Sequence, residues 1–177
     1  KPIMTSIQQA LRDAMALLTT VSLSPAEKTA TGPDHRIDCE VLLAHVLKQS
    51  RTYLYTHPEQ ILTPTELDLW HSLITARCQG TPIAYLTGIR EFWSLSLKVS
   101  PATLIPRPET ELLVELALTL LDNRKKTILD LGTGSGAIAL AIATEKPHWH
   151  IIACDNSIDA LNIARDNAAS LQLSNID

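Results

Sequence analysis

The chain has 177 residues, 15 Lys and Arg against 19 Asp and Glu, a formal charge of −4 and 4% aromatics. That length is enough to bury a real core in one domain or two small ones. The acidic balance speaks against a basic nucleic-acid-binding face. No apolar run approaches the roughly 18 residues of a membrane span, and no signal peptide opens the chain. Cys39, Cys78 and Cys154 are widely spaced with no C-x-x-C, which suits buried thiols in a reducing compartment better than a disulfide framework or a zinc site. The six histidines are scattered, and the close pair His148 and His150 has no further ligands around it, so no metal site is expected. These features predict a soluble, cytoplasmic, metal-free protein with no membrane and no direct nucleic-acid partner. The chain opens on Lys1, which leaves Met4 as a candidate native start.

Residues 1–80 read as helices. Ile7, Leu11, Met15 and Leu18 recur at helical spacing. Residues 22–34 are rich in Ser, Thr, Pro and Gly and read as a loop. Ile37, Val41, Leu42 and Val46 mark a second amphipathic helix. Thr63-Pro64-Thr65-Glu66 is a start signal: Thr63 can cap, Pro64 fits the first helical position, and Glu66 completes a capping box. Leu67, Trp70, Leu73 and Ile74 are its expected buried face.

Residues 80–88, from glycine to glycine, break the helical pattern, and Leu95, Leu97 and Val99 then alternate with polar residues as in a half-buried strand. Pro101, Pro106 and Pro108 make a stiff connector. From Pro108 the pattern is helical again, with Glu109 and Glu111 in the first turn and Leu112, Leu113, Leu116 and Leu120 as the stripe. Thr127 to Leu131 is a short apolar strand, residues 137–144 a helix ended by Pro147, Ile151 to Asp155 a second buried strand, and residues 158–171 another helix. Strand, helix, strand, helix at this spacing predicts a parallel sheet with right-handed crossovers, and two strands leave that sheet unfinished.

Between the first of these strands and its helix lies Gly132-Thr133-Gly134-Ser135-Gly136. A glycine-rich turn there lets the backbone approach a ligand at a helix start. Gly132, Gly134 and Ala137 also satisfy the loose dinucleotide pattern, and Asp155 lies where a ribose-binding acid would, so NAD competes for the loop. Asp130, two residues before the first glycine, favours S-adenosylmethionine instead: its carboxylate would repel a pyrophosphate and attract an ammonium and a sulfonium. Asp155 can accept hydrogen bonds from both ribose hydroxyls. The expected cofactor-binding residues are therefore Asp130, Gly132, Thr133, Gly134, Ser135, Gly136 and Asp155.

The chain resembles the HemK/PrmC family of protein N5-glutamine methyltransferases, which act on class I peptide-chain release factors. The likeness is carried by residues 81–88 (TPIAYLTG), 90–93 (REFW), 100–111 (SPATLIPRPETE) and 130–140 (DLGTGSGAIAL). It implies a helical domain over 1–80 that helps recognise the protein substrate, a β-hairpin linker over 81–105, and the first part of a Rossmann-like class I methyltransferase sheet over 106–177. It also implies S-adenosyl-L-methionine as cofactor, S-adenosyl-L-homocysteine as product, and methylation of the glutamine amide in a Gly-Gly-Gln motif. The stretch Arg107 to Glu111 is expected to border the cofactor site.

In the family the glutamine amide is held by an Asn-Pro-Pro-Tyr motif, which does not occur in this chain. No catalytic residue is therefore assigned, and the chain is expected to be a fragment that binds cofactor without transferring methyl groups. The alternatives are a glutamine methyltransferase of a ribosomal protein, an amino-methyltransferase of nucleic-acid bases, a non-catalytic scaffold on the cofactor fold, and an NAD-dependent oxidoreductase.

Overall fold

The computed structural model describes residues 4–20 and 35–177. The predicted loop over 22–34 lies outside the described residues. The architecture is mixed α/β, and the chain divides into two compact units after Thr87.

The first unit is helical: α1 (Ile7–Thr20), α2 (His35–Leu47), α3 (Arg51–Thr56), α4 (Pro64–Cys78) and α5 (Ile83–Thr87). The N-terminal end of α1 is pinned to the segment before α4, with the Ile7 amide donating to the Gln60 carbonyl at 2.9 Å and the Leu62 amide to Thr5 at 3.0 Å. Helix α4 starts as its sequence predicts. The Thr63 side chain accepts from the Glu66 amide, the Glu66 carboxylate accepts from the Thr63 amide at 2.7 Å, and Pro64 opens the helix.

On α2 the buried residues are Cys39, Glu40, Leu42, Leu43, Ala44 and Val46, while Ile37, assigned to the stripe from spacing, is 43% exposed. Helix α2 packs against α1, α3 and α4 together, so its apolar arc is wider and turned from the predicted line. On α4, Trp70 and Ile74 are buried and Leu67 and Leu73 pack partly buried against the same core. The short helices α3 and α5 carry no periodic signal. Ser50 caps α3, and α5 forms within the stretch read as a break, laying Ile83 and Leu86 on the core.

Two charged residues are buried in this unit, Glu40 and Arg77, and Arg77 Nε pairs with Asp38 Oδ2 at 2.9 Å. Glu40 is 2% exposed and accepts from the Tyr55 hydroxyl, from Arg36 Nε at 2.9 Å and from Arg51 Nη2 at 2.5 Å. Burial works to raise its carboxyl, and the bonds from Tyr55, Arg51 and Arg36 overcome that, holding it down at about 2. Cys39 is buried as expected, with its thiol pushed up to about 12 chiefly by desolvation. Cys154 is not: it stands at the end of its strand and is exposed.

The second unit opens with a hairpin of β1 (Ile89–Phe92) and β2 (Leu95–Lys98), antiparallel with Phe92 opposite Leu95. The two-residue turn puts Trp93 at φ 52° and Ser94 at φ 58°, positions that usually need Asn or Gly. The turn is secured from outside: the Trp93 amide donates to Glu111 and its indole to Glu145, both at 2.9 Å.

A single 3-10 turn (Pro108–Thr110) leads into α6 (Glu111–Leu120), followed by β3 (Thr127–Leu131), α7 (Ala137–Glu145), β4 (His150–Cys154) and α8 (Ile158–Ser170). The strands β3 and β4 are parallel, with Thr127 opposite His150. The sheet holds these two strands, as the sequence predicts. Residues 175–177 add one parallel bridge on the far side of β4, with the Ile151 amide donating to Asn175 and the Asp177 amide to Ile151, each at 2.9 Å. The leucine stripe of α6 is corrected. Leu112, Leu113, Leu116 and Leu120 are 58, 54, 46 and 77% exposed, and Val114 is the helix's buried residue. Leu129 and Leu131 of β3 are exposed too, and the core forms on the other side, around α7, Trp149 and Ile151. Among the described residues no helix is long and apolar enough to cross a membrane.

Candidate functional site

The loop from Gly132 to Gly136 joins the end of β3 to the start of α7, and Asp155 follows the last residue of β4. Parallel pairing brings the two strand ends side by side, with Leu131 opposite Cys154, so the two acids of the sequence reading share one edge of the sheet. Such strand ends are where open α/β sheets take their ligands.

The loop is bonded from within. The amides of Gly132 and Thr133 both donate to the Cys154 carbonyl, at 2.8 and 2.9 Å. The Gly134 amide donates to Asp155 Oδ2 at 2.9 Å, and the Gly136 amide to the Thr133 carbonyl at 2.9 Å. Asp130 Oδ2 accepts from the Thr133 hydroxyl at 2.7 Å, which locks the acid against the loop. Asp155 Oδ1 accepts from the Ser157 amide at 3.0 Å. Backbone donation from Ser157 and then Gly134 holds the Asp155 carboxyl below its ordinary range, so it is ionised. Each of its oxygens keeps a second lone pair for a ligand hydroxyl.

This bonding bears on the ligand. A phosphate-binding loop presents free amides to the anion. Here the amides of Gly132, Thr133, Gly134 and Gly136 have partners in the protein, and a carboxylate sits on that of Gly134. The edge therefore offers acceptors and negative charge, which suit hydroxyls, an ammonium or a sulfonium.

The three glycines divide by role. A side chain at Gly132 or Gly134 would meet nothing within 4 Å, although φ is +78° and +57° there. Space in front of these two is open to a ligand. A Cβ at Gly136 would stand 2.9 Å from Leu140 Cδ1 and 3.3 Å from Ala164 Cβ. Gly136, grouped with the cofactor residues from sequence, thus keeps α7 close to α8 and faces the protein. Ser135 is likewise 2% exposed, and its carbonyl accepts from Asn167 Nδ2 at 2.9 Å.

Asn167 carried no signal in the sequence. It is 1% exposed on α8, accepts from the Lys98 amide at 2.7 Å and donates to the Lys98 carbonyl at 3.0 Å, so one amide side chain ties β2 to the glycine loop. Its placement depends on tertiary packing, which no local motif records.

In front of the loop is a cleft of about 110 Å³, walled by Gly132 to Ser135 on one side and by Leu104, Pro106, Arg107 and Thr110 on the other. That volume is below the roughly 300 Å³ of pockets that enclose a ligand, so these residues form part of a wall. Of the proline-rich stretch, Arg107 and Thr110 face the cleft, whereas the Glu111 carboxylate is engaged by the hairpin turn.

Comparison with known proteins agrees first on a class. Residues 108–176 match the methyltransferase small domain. S-adenosylmethionine is the cofactor this match implies, and the acid-rimmed edge fits it. Residues 9–88 match the PrmC N-terminal domain. The chain belongs to the PrmC family. It is 51% identical over 150 residues to the release factor glutamine methyltransferase of Aliivibrio fischeri, covering 84% of this chain and 53% of that one. It is 49% identical over 173 residues to that of Coxiella burnetii, covering 97% and 59%. To that of Escherichia coli it is 53% identical over 141 residues, covering 80% and 51%. The chain thus spans about half the length of the curated relatives it matches.

Proposed function

We propose that the protein is a methyltransferase that moves the methyl group of S-adenosylmethionine to the side-chain amide nitrogen of the glutamine in the Gly-Gly-Gln motif of class I release factors. The observation that carries the cofactor half of this reading is the edge where Asp130, Thr133, Gly134 and Asp155 interlock, with the amides of Gly132, Thr133, Gly134 and Gly136 engaged within the protein and two carboxylates at the strand ends. The residues assigned to the cofactor are Asp130, Gly132, Thr133, Gly134 and Asp155, with Ser135 and Gly136 shaping the loop behind them. In this role Asp155 accepts from ribose hydroxyls, Asp130 balances the positive methionine end, and Arg107, exposed on the opposite wall, meets a carboxylate. The substrate half of the reading rests on the named relatives and on the helical unit.

An amide nitrogen is a poor nucleophile because its lone pair is delocalised, so the enzyme must align it with the methyl group and accept its N–H hydrogens. The Asn-Pro-Pro-Tyr motif that does this in the family is absent from the 177 residues. The chain alone is therefore expected to bind cofactor and to transfer nothing. Titration calorimetry tests the first part: S-adenosylhomocysteine should bind and NAD should not. Binding of NAD in its place would favour an oxidoreductase. For the substrate, the full-length protein is offered labelled cofactor with a release factor or with ribosomal proteins. Label on the release-factor glutamine supports the proposal, and label only on a ribosomal protein replaces the substrate. Transfer by the 177-residue chain would show that it holds a catalytic group of its own.

A further inference from the structure

The helical unit carries a groove of about 410 Å³ that has no part in the cofactor reading. Leu11 and Met15 of α1, with Leu54 and Pro58, give it an apolar floor, and each of the four is buried or half-buried. Arg12, Arg36 and Tyr55 line it as exposed side chains. Along α1 the groove runs from Gln8 to Met15, two turns or about 10 Å.

The buried carboxylate of Glu40 also lines it and ties its walls together. Glu40 accepts from Arg36 Nε at 2.9 Å, from Arg51 Nη2 at 2.5 Å and from the Tyr55 hydroxyl. Burying a carboxylate is expensive, and replacing a buried ion pair by apolar residues is often neutral or even stabilising. What this arrangement achieves is to fix three side chains that reach solvent, since Arg36 and Arg51 are 64 and 45% exposed and Tyr55 55%. The Arg36 guanidinium also lies 5.8 Å from the centroid of the Tyr55 ring, so cation and aromatic are held as one wall.

The surface is positive in a chain of formal charge −4. Arg12, Arg36 and Arg51 stand against Glu40, and Asp13 and Glu59, the acids next in sequence, are not among the walls. Arg12 donates to Gln9 at 3.2 Å and has no ion-pair partner among the described residues. Arginine, methionine and aromatic residues are the types enriched where proteins meet.

We propose that this groove docks a segment of a protein partner in which an aliphatic or aromatic side chain is flanked by carboxylates. The apolar side chain covers Leu11, Met15 and Leu54, and the carboxylates meet Arg12 and Arg36. A guanidinium has five donors, so Arg36 can serve Glu40, Tyr55 and a further acceptor together. Ten ångströms of groove match an extended run of about three residues. Glu40 is a positioning residue here: it holds the wall ready, so little ordering is left to be done on binding.

Met15 supplies the reporter. The 177 residues hold two methionines, Met4 and Met15, and Met15→Leu assigns the Met15 methyl resonance in the full-length protein labelled at its methionine methyls. The protein is titrated with three blocked hexapeptides: Leu-Phe between acidic pairs, Leu-Phe between lysine pairs, and two serines between acidic pairs. The Met15 resonance should shift saturably with the first, and the other two should bind at least about tenfold more weakly. Arg12→Glu, at an exposed position, should weaken the first peptide about tenfold while the other methionine resonances stay in place. An unmoved Met15 resonance, equal binding of the acidic and lysine peptides, or an Arg12→Glu variant that titrates like the parent overturns the proposal. Tighter binding of octanoate than of the acidic peptide gives the groove to a small amphiphile, and a shift that follows protein concentration alone gives it to a second copy. Either result overturns the proposal as well.

Discussion

Helices α2 and α6 are both rich in leucine, and they end in opposite environments. Leu42 and Leu43 of α2 are fully buried among α1, α3 and α4, whereas Leu112, Leu113, Leu116 and Leu120 of α6 stand mostly exposed. The helical unit packs α2 on several sides at once and buries even a carboxylate, Glu40. The sheet unit buries one face and leaves the leucines of α6 and β3 uncovered. Periodicity reports that a helix has an apolar side; it does not report whether this chain supplies the cover.

The contrast can be broken or sharpened by mutation. The largest effect should come from Trp70→Ala, which empties a fully buried site in the helical core and should cost about 3–5 kcal/mol in urea unfolding followed by far-ultraviolet dichroism. Gly136→Ala should cost about 2–3 kcal/mol in the sheet unit, because φ is +86° and the new methyl would overlap Leu140 Cδ1 at 2.9 Å. Gly134→Ala, with open space, should cost about 1 kcal/mol of strain and show itself mainly as weaker S-adenosylhomocysteine binding.

Glu40→Gln should destabilise the helical unit by about 2 kcal/mol, since Arg36 and Arg51 are partly exposed and can rehydrate. Its pH signature is more specific. The carboxyl falls from 4.5 to about 2 on folding, so its contribution is present above pH 4.5 and is lost as pH falls toward about 2. The variant should lack that loss, and an unchanged acid profile would show that Glu40 is not its source. The smallest effect should be Leu116→Ala on α6, within about 0.5 kcal/mol. A loss of several kcal/mol there would mean that the leucine face is covered in solution.

Much of the fold was legible because its signals are local. The Thr63-to-Glu66 box, the strand over Thr127 to Leu131 and the loop that follows are each written in a few adjacent residues. The α5 helix was not, being five residues long with no room for a period. Within the site, the neighbourhood of Asp130 and Asp155 could be anticipated because two parallel strands end together. The division of labour among the glycines could not, since it depends on which one faces Ala164. Asn167 was invisible for the same reason, as an asparagine on a helix is ordinary until its partners are known.

Those partners have a kinetic consequence. Asn167 lies 69 residues from Lys98 and 32 from Ser135. The contact that sets α8 against the hairpin therefore closes a loop longer than the 52-residue one between Trp93 and Glu145, and long closures form late. The hairpin and the β3–α7 turn can each form early from neighbouring residues. The cofactor edge should acquire its final shape only when α8 docks, so that competence for ligand arrives with the last folding step.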